Sequence, residues 1–502
     1  MQASSPSFIT EIPLKIGSYE RSILKKRFWA AKQQYNALLG ECLDRLEQVK
    51  KDERFKKANE LYRDKETRAE AKSLFKQLNI DHQYREYDLY SYCIQWNKKK
   101  SPLSIGSRIS QKLAKRVFLS VEKYRTLKQN PKEYKKYKGK PRFKGYRGLT
   151  SIEDNSIDAN LRLRNGLIQY LGINLRLEYN LTDPIHYHSK TSKVKYIRLV
   201  KRQFNKKIHY FAQLVSEGKP LIKSQNISKE GVIGLDIGPQ TIAIVSKEAP
   251  FASISSFADE LKEQKVLKQK YQRKQSRQLR SCNPDSYEKD VWGKKDKYFK
   301  RKHGKNIKGK SLRNRSKSLK KTHLKLNELC RRESATRKTL HGELVNKILR
   351  EGHIVKTEKI SYKWFQSLHG KSVGLRAPGM FVEILKRKAE NAGGKVEEVN
   401  TITTKLSQSC HCGKVRKKTL KERWHKCICG TICQRDLYSA YLVCYVEKNK
   451  LIADQAKANW SGKDLVLSAA MRKLKQSSRG KSFPSSLGLG NMPILGSEIV
   501  AC

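Results

Sequence analysis

Residues 8–16, Phe-Ile-Thr-Glu-Ile-Pro-Leu-Lys-Ile, alternate partly between apolar and polar side chains, which predicts a β-strand. From about residue 19 to 126 the apolar period lengthens to three and four. Leu24, Phe28, Ala31, Tyr35 and Leu38 then share one helix face, as do Leu89, Tyr92, Cys93 and Trp96, and again Ile109, Leu113, Val117 and Val121. Packing against a core accounts for these stripes without any further role. Strand character returns over 160–215. Val194-Lys-Tyr-Ile-Arg-Leu-Val200 alternates, and Lys207 to Val215 follows a short polar turn from Gln203 to Lys206, which signals a hairpin. With the strand at 8–16, these elements suggest a small β-barrel interrupted by the helical segment.

A second pattern begins at Gly231. Val232-Ile-Gly-Leu-Asp-Ile-Gly and Thr241-Ile-Ala-Ile-Val-Ser246 predict a hairpin turning at Gly238-Pro239. Residues 258–350 read as long, basic and helical. Leu326, Cys330, Leu340, Leu344 and Ile348 mark one buried stripe, and a polar stretch at 293–310 separates two helices. After Gly352, His353-Ile-Val starts a short core strand with Glu358 at its far end. A helix is expected at 380–391, a strand at 395–400, and another helix from Asp436. From about Gln476 the chain is rich in Ser, Gly and Pro and reads as a flexible tail.

Composition adds the partner. The chain of 502 residues is long enough for two to four domains, and 37% hydrophobic residues support globular folding. Lys and Arg number 108 against 47 Asp and Glu, an excess of 61 positive charges. Such self-repulsion is relieved by a polyanion, and phosphate backbones are the natural one. A membrane surface is disfavoured: there is no apolar run near 18 residues and no signal-like apolar stretch after Met1. Residues 128–148 concentrate the charge, with nine Lys or Arg and one acid. Tyr134, Tyr137, Phe143 and Tyr146 interleave with the cations Lys135, Lys136, Lys138, Lys140, Arg142 and Lys144. Cations on phosphates and rings on bases make this segment a candidate nucleic-acid contact.

Three acids carry the candidate chemistry. Asp236 lies inside an apolar strand, where a charge is costly to bury without a partner. Glu358 ends another strand, flanked by Lys356 and Lys359. Asp436 opens a helix, where the dipole favours an acid. They are 122 and 78 residues apart, so only folding brings them together. Phosphodiester hydrolysis needs an activated water and a stabilised leaving oxygen. Two magnesium ions about 4 Å apart supply both, and magnesium takes carboxylate oxygens. The order strand acid, strand acid, helix acid is that of an RNase H-like nuclease. Asp154 and Asp158, in a polar loop, are left unassigned.

There are 11 cysteines, six of them between Cys410 and Cys444. That clustering fits a metal site in a reducing compartment better than a disulfide ladder. Cys410-His-Cys412-Gly and Cys427-Ile-Cys429-Gly are two copies of Cys-x-Cys-Gly, with fourteen residues between Cys412 and Cys427. Four thiolates on two tight turns suit one tetrahedral, structural zinc. Each turn is one residue shorter than the usual Cys-x-x-Cys, so Cys433, His411 and His425 stand as reserve ligands.

Taken together, Gly-Leu-Asp236-Ile-Gly-Pro, the Glu358 strand, Leu406-Ser-Gln-Ser-Cys410, the paired knuckles and Arg435-Asp436-Leu-Tyr-Ser-Ala-Tyr resemble the TnpB family. These proteins are encoded by insertion sequences and are apparent ancestors of the compact type V CRISPR effectors. Residues 231 to about 445 carry the resemblance, and Gly139-Lys-Pro-Arg-Phe-Lys144 adds to it. Two departures stand out: the shortened Cys pairs, and Tyr438-Ser439-Ala440 where the family more often has x-Asn-Ala after the last acid.

The resemblance implies a multidomain α+β and α/β protein. A β-barrel wedge domain is expected at 1–18 and 150–228, interrupted by a helical recognition lobe with its basic linker at 19–149. A RuvC RNase H-like domain is expected at 229–406 and 434–475. It carries an inserted zinc-binding element for target nucleic acid at 407–433, and a flexible tail follows at 476–502. It further implies a guide RNA transcribed from the element, target double-stranded DNA with a short adjacent motif, and one RuvC site cutting the DNA strands in turn. Asp236, Glu358 and Asp436 would hold magnesium, and Cys410, Cys412, Cys427 and Cys429 zinc. A prokaryotic cytoplasmic, nucleoid-associated monomer or homodimer is expected. Three other readings compete: a guide-RNA-dependent DNA-binding regulator that does not cut, a transposase or resolvase of the same fold, and a plain zinc-ribbon RNA binder. The first would be expected to have lost an acid, and the last has no need of the Asp236 strand.

Overall fold

The computed structural model describes residues 6–100, 103–129, 139–145, 148–157, 159–204, 207–295, 298–310, 312, 314–419, 421–477 and 485–491. The chain divides into two compact units, Met1–Leu221 and Ile222–Cys502.

In the first unit, β1 (Ser7–Lys15) buries Phe8, Thr10, Ile12 and Leu14 on alternate positions. Five helices follow: α1 (Ser18–Lys51), α2 (Glu53–Leu61), α3 (Arg68–Asp81), α4 (Glu86–Lys100) and α5 (Ser107–Gln129). The apolar stripes expected on α1 and α5 are buried throughout. On α4, Leu89 and Cys93 are buried, while Tyr92 and Trp96 are half-covered. Asp52 caps α2 through the Arg54 N–H at 3.0 Å and also takes the Arg54 guanidinium and the His82 ring. These partners hold its carboxyl far below the usual range.

The chain then returns to strands: β2 (Ser151–Glu153), β3 (Leu161–Arg164), β4 (Leu167–Tyr170), β5 (Ile173–Leu177), β6 (Val194–Phe204) and β7 (Lys207–Glu217). One seven-stranded sheet runs β2-β6-β7-β1-β5-β4-β3. The expected hairpin is β6 with β7, paired from Phe204↔Lys207 to Val194↔Ser216. β1 pairs with β7 and β5, so the five-helix excursion interrupts a sheet that both ends of the unit build. A closed barrel would need β2 to meet β3, a pairing absent among the described residues. A helix at Pro184–Thr191 was missed; Asp183 caps it ahead of Pro184. Asp154 is buried and accepts N–H bonds from Asn155, Asn160 and Leu161 at 2.7–2.8 Å, so it organises a loop.

In the second unit, β8 (Val232–Ile237) and β9 (Thr241–Ser246) form the expected hairpin, closed by the Gly238 N–H to the Thr241 carbonyl at 2.9 Å. β10 (Ala252–Ser256), with one apolar residue of weight, extends it and was not foreseen. Between helices Leu261–Cys282 and Lys317–Glu351, the stretch read as a polar spacer holds a second hairpin, β11 (Val291–Lys295) with β12 (Tyr298–Lys302). The stripe on the second of these helices needs correction. Leu326 and Ile348 are buried and Leu340 and Leu344 half-buried, but Cys330 is exposed. The helix takes the three-residue step from Leu326 to Leu329 and on to Glu333. Lys268 and Arg337 pair with that buried carboxylate.

β13 (Ile354–Glu358) and β14 (Lys395–Val399) complete a five-stranded sheet ordered β10-β9-β8-β13-β14. β13 runs parallel to both β8 and β14. A helix at Pro378–Asn391 precedes β14. A short ribbon, β15 (Trp424–Lys426) with β16 (Ile432–Gln434), leads straight into the helix Arg435–Val443. The segment from Gln476 is more ordered than expected over its described part. Helix Lys463–Ser477 runs into it. Leu487 is buried, and the Trp424 indole N–H donates to the Gly488 carbonyl at 3.0 Å.

Candidate metal sites

The register of β13 on β8 runs from Ile354↔Val232 to Thr357↔Leu235. Carried one residue further, it sets Glu358 beside Asp236 at the same end of two parallel strands. Asp436 arrives by a different route. A Cβ on Gly234 would sit 1.9 Å from the Ala440 carbonyl, so the helix Arg435–Val443 lies directly on β8 at that glycine. Asp436 is one turn before Ala440, about 6 Å along the helix. Asp236 is two residues beyond Gly234 on the same face of the strand, about 6.6 Å. The matching steps place Asp436 over Asp236. Lys356 fixes the other end of the helix by donating to the carbonyls of Cys444 and Val446 at 3.3 and 2.8 Å. It is therefore occupied there and not with Glu358, while Lys359 is exposed.

All three carboxylates are partly covered. Among the described residues, no side-chain ion pair reaches Asp236 or Glu358. Burial, then the charges of Asp436 and Glu358, push the Asp236 carboxyl well above the ordinary carboxylate range, against the pull of Arg435 and Arg423. Burial pushes Glu358 up to about 7. Asp436 has a weak contact at 3.4 Å with Arg435, whose guanidinium also holds the Glu422 carbonyl at 3.0 Å. A buried carboxyl that two neighbouring acids push up, as at Asp236, is what a divalent cation relieves, so the residues present fit magnesium.

The thiols form a tighter group. One ligand atom from each of Cys410, Cys412, Cys427 and Cys429 lies within 4.8 Å of all the others, the one His, Cys, Asp or Glu cluster so close among the described residues. The Sγ atoms of Cys410 and Cys429 are 3.6 Å apart and those of Cys412 and Cys427 3.5 Å. A tetrahedron on zinc–sulfur bonds of about 2.3 Å has edges of about 3.8 Å, so the set could hold a zinc ion.

Both turns are built alike. Gly413 N–H bonds the Cys410 carbonyl at 3.0 Å and Gly430 N–H that of Cys427 at 3.1 Å. Both glycines are left-handed, at φ 84° and 87°, where a side chain would strain the turn. The shortened Cys-x-Cys spacing is therefore compatible with convergence. Although burial opposes it, hydrogen bonds from Thr431, Cys427 and Cys410 lower the Cys429 thiol to about 6. The reserve ligands lie outside the group. His425 contacts Lys418 and Cys433 is buried elsewhere, while His411 faces the Tyr438 hydroxyl at 2.8 Å.

Of the basic segment, Lys135, Lys136, Lys138, Tyr134, Tyr137 and Tyr146 lie outside the described residues, as does Asp158. Lys140, Arg142 and Phe143 are exposed. Lys144 is tied by its backbone to the Asn36 amide at 2.7 and 3.0 Å, with its ammonium 5.0 Å from the Tyr35 ring centroid. The sequence did not show a second basic surface, a cleft of about 600 Å³ lined by Arg116, Arg198, Lys201 and Arg202 with Glu153. Its cations come from α5 and β6, which no local spacing connects. Arg423, Arg435 and Tyr438 were also missed as neighbours of the sites. The only signal was that Tyr438 opens the Tyr438-Ser439-Ala440 run that departs from x-Asn-Ala.

Residues 379–443 match the family model described as Cas12f1-like, TNB domain. No curated protein matches the sequence. Among solved structures, the chain is similar to one of a Cas12f1–sgRNA–target DNA complex, at 13% identity and TM-score 0.42, over 84% of this chain and 82% of that one. It is also similar to one of a CRISPR-Cas12f ternary complex, at 12% identity and TM-score 0.28, over 86% and 85%. The segment that holds the four thiols and Asp436 is thus Cas12f1-like in sequence.

Proposed function

We propose that this protein is an RNA-guided DNA endonuclease that hydrolyses phosphodiesters at one site made by Asp236, Glu358 and Asp436. The observation that carries the reading is the convergence of three acids, two of them without a side-chain ion partner among the described residues, at one end of the β8–β13 pair. The sheet order β10-β9-β8-β13-β14, antiparallel on one side and parallel on the other, with a helix laid on β8, supports an RNase H-like, RuvC-type domain. When bound, two magnesium ions would supply an activated water and charge on the leaving oxygen. Asp236 and Glu358 would hold that site from the strands and Asp436 from the helix. Arg423 and Arg435 draw the Asp236 carboxylate toward its charged form. Cys410, Cys412, Cys427 and Cys429 would hold one zinc that keeps the ribbon folded ahead of Asp436.

The partners in this reading are a guide RNA and a target DNA duplex with a short adjacent motif. The excess of 61 positive charges supports polyanion partners. Lys140, Arg142, Phe143 and Lys144, with the Arg116–Lys201 cleft, would grip backbones while base pairing supplies sequence. The wedge, recognition-lobe and RuvC divisions, the insertion-sequence origin of the guide, action as a monomer or homodimer, and a prokaryotic cytoplasm belong to the same proposal. No helix among the described residues is long and apolar enough to cross a membrane.

The test is to purify the protein from cells carrying its native genomic flank and sequence the co-purifying RNA. The complex is then given magnesium and plasmids with a guide-matched target beside randomised bases. Cuts at one adjacent motif are the expected result. Retention without cuts would replace the nuclease with a guided DNA-binding regulator, and the absence of a discrete RNA would sink both.

A further inference from the structure

We propose that Tyr438 is a positioning residue for the four-thiol site: its hydroxyl donates to the Cys410 sulfur and accepts from His411, tying the metal-holding turn to the helix that bears Asp436. The inference rests on reading the four thiols as a zinc site.

The protons available around this hydroxyl decide which way each bond runs. A tyrosine hydroxyl has one proton to give and two lone pairs. Three groups surround this one: the Cys410 Sγ at 3.4 Å, the His411 backbone nitrogen at 3.0 Å and the His411 Nδ1 at 2.8 Å. The backbone N–H can only donate, so it takes one lone pair. A metal-bound sulfur is a thiolate and can only accept. The hydroxyl proton then points at sulfur, and the remaining lone pair is filled by a proton on Nδ1. All three contacts are satisfied in this arrangement. If sulfur instead keeps its own proton, the hydroxyl can turn its proton to Nδ1, and the bond to sulfur is lost.

The ring cannot drift from this place. Tyr438 is 1% exposed, stacked on His425 at 4.3 Å and set edge-on to Trp460 at 5.4 Å. The second turn has a matching device: the Thr431 hydroxyl lies 3.1 Å from the Cys429 Sγ, with His411 Nε2 3.5 Å from the same oxygen. His411, which sequence spacing offers as a reserve ligand, instead stands between two hydroxyls that each face a sulfur. Tyr438 also sits two residues after Asp436, on a helix whose start is capped by the Gln434 side chain at 2.8 Å and joined to the ribbon by the Arg435 N–H to the Arg423 carbonyl at 2.9 Å. An ordered ribbon therefore sets where that helix begins.

Hydrogen bonds to the ligands of a metal are worth roughly 10- to 100-fold in affinity. The test compares the full-length protein with Tyr438→Phe and Tyr441→Phe, titrating zinc against a chromophoric chelator. Tyr441 is the control: its hydroxyl is equally buried on the same helix but donates to the Ala456 carbonyl. Expected is one zinc in the wild type, an affinity at least about tenfold lower in Tyr438→Phe, and no change in Tyr441→Phe. The sulfur-to-metal charge-transfer band of the cobalt-loaded protein should shift in Tyr438→Phe alone. Equal affinity for wild type and Tyr438→Phe overturns the inference, as does an equal loss in both variants. Wild type that binds no zinc sinks the thiol reading itself. Should Tyr438→Phe fail to fold, the wild type decides alone: histidine-selective nitrogen-15 spectra of the zinc-loaded protein should show a proton on His411 Nδ1, and a bare Nδ1 overturns the proposal.

Discussion

The two candidate metal sites are assembled in opposite ways. The thiol site is made of two repeated turns, each closed by its own backbone hydrogen bond and a left-handed glycine, and brought together by one short ribbon. The carboxylate site has no local structure of its own. It draws one residue from β8, one from β13 and one from the Arg435–Val443 helix, and depends on strand register and on the bare Cα of Gly234. The thiols lie within 4.8 Å of one another, and the acids do not gather so tightly. A structural ion needs a closed set of ligands, whereas a site that must admit a scissile phosphate and a water needs open positions. Local turns suit the first and a shared sheet end suits the second.

Each site can be disabled by its own substitution. The largest effect is expected from Asp236→Ala: loss of several kcal/mol of charge stabilisation, about a thousandfold or more in cleavage rate, with RNA binding near normal in a filter assay. Full cleavage by this variant would remove the carboxylate site from the argument.

Next is the joint change of Cys427 and Cys429 to Ser. Zinc measured by mass spectrometry should vanish. Stability should fall by about 4 kcal/mol under conditions where free zinc stands a thousandfold above its Kd. A folded, zinc-free, active variant would refute the structural role.

Gly234→Ala probes the join between the sites. The new Cβ meets the Ala440 carbonyl, so the helix must lift, at a cost of about 1–3 kcal/mol in denaturation midpoint and with impaired cleavage. At saturating metal one zinc should still bind, because both turns are closed locally, while its affinity falls as Tyr438 is displaced with the helix.

The smallest effect is in pH dependence. Glu358, raised to about 7 in the folded protein, binds a proton there that the unfolded chain releases near pH 4.5. Its contribution is present below about pH 4.5 and lost as pH rises through 7. Without magnesium, Glu358→Gln should flatten the fall in stability between pH 5 and 8, measured by urea unfolding. An unchanged slope would place Glu358 in ordinary solvent.

Local features were the most legible. The stripes of α1 and α5, the β6–β7 and β8–β9 hairpins and the Cys-x-Cys-Gly turns follow from spacings of two to four residues. The failures follow one rule. β10, the β11–β12 hairpin and the Pro184–Thr191 helix are short and weakly apolar, and gain their structure from a neighbour or a cap. Cys330 was misplaced because steps of three and four both continue a stripe from Leu326, and packing decides between them. Leu487 was lost in the tail because its apolar residues are scattered among Ser, Gly and Pro and leave no periodicity.

Residue type and local spacing alone reveal the side chains suited to metal, the turns that hold the thiols, the charge that calls for a polyanion, and the resemblance in motif order. Those depend on residue type and on neighbours a few positions away. Only the tertiary structure decided that Glu358 stands beside Asp236, that Asp436 lies over them because Gly234 lets a helix down onto the strand, and that the Tyr438 hydroxyl reaches a cysteine sulfur. Those depend on register and close approach between segments up to 200 residues apart in the chain. Such distances leave no trace in local spacing, because the energy that sets them is gained only when the sheet and its covering helix pack.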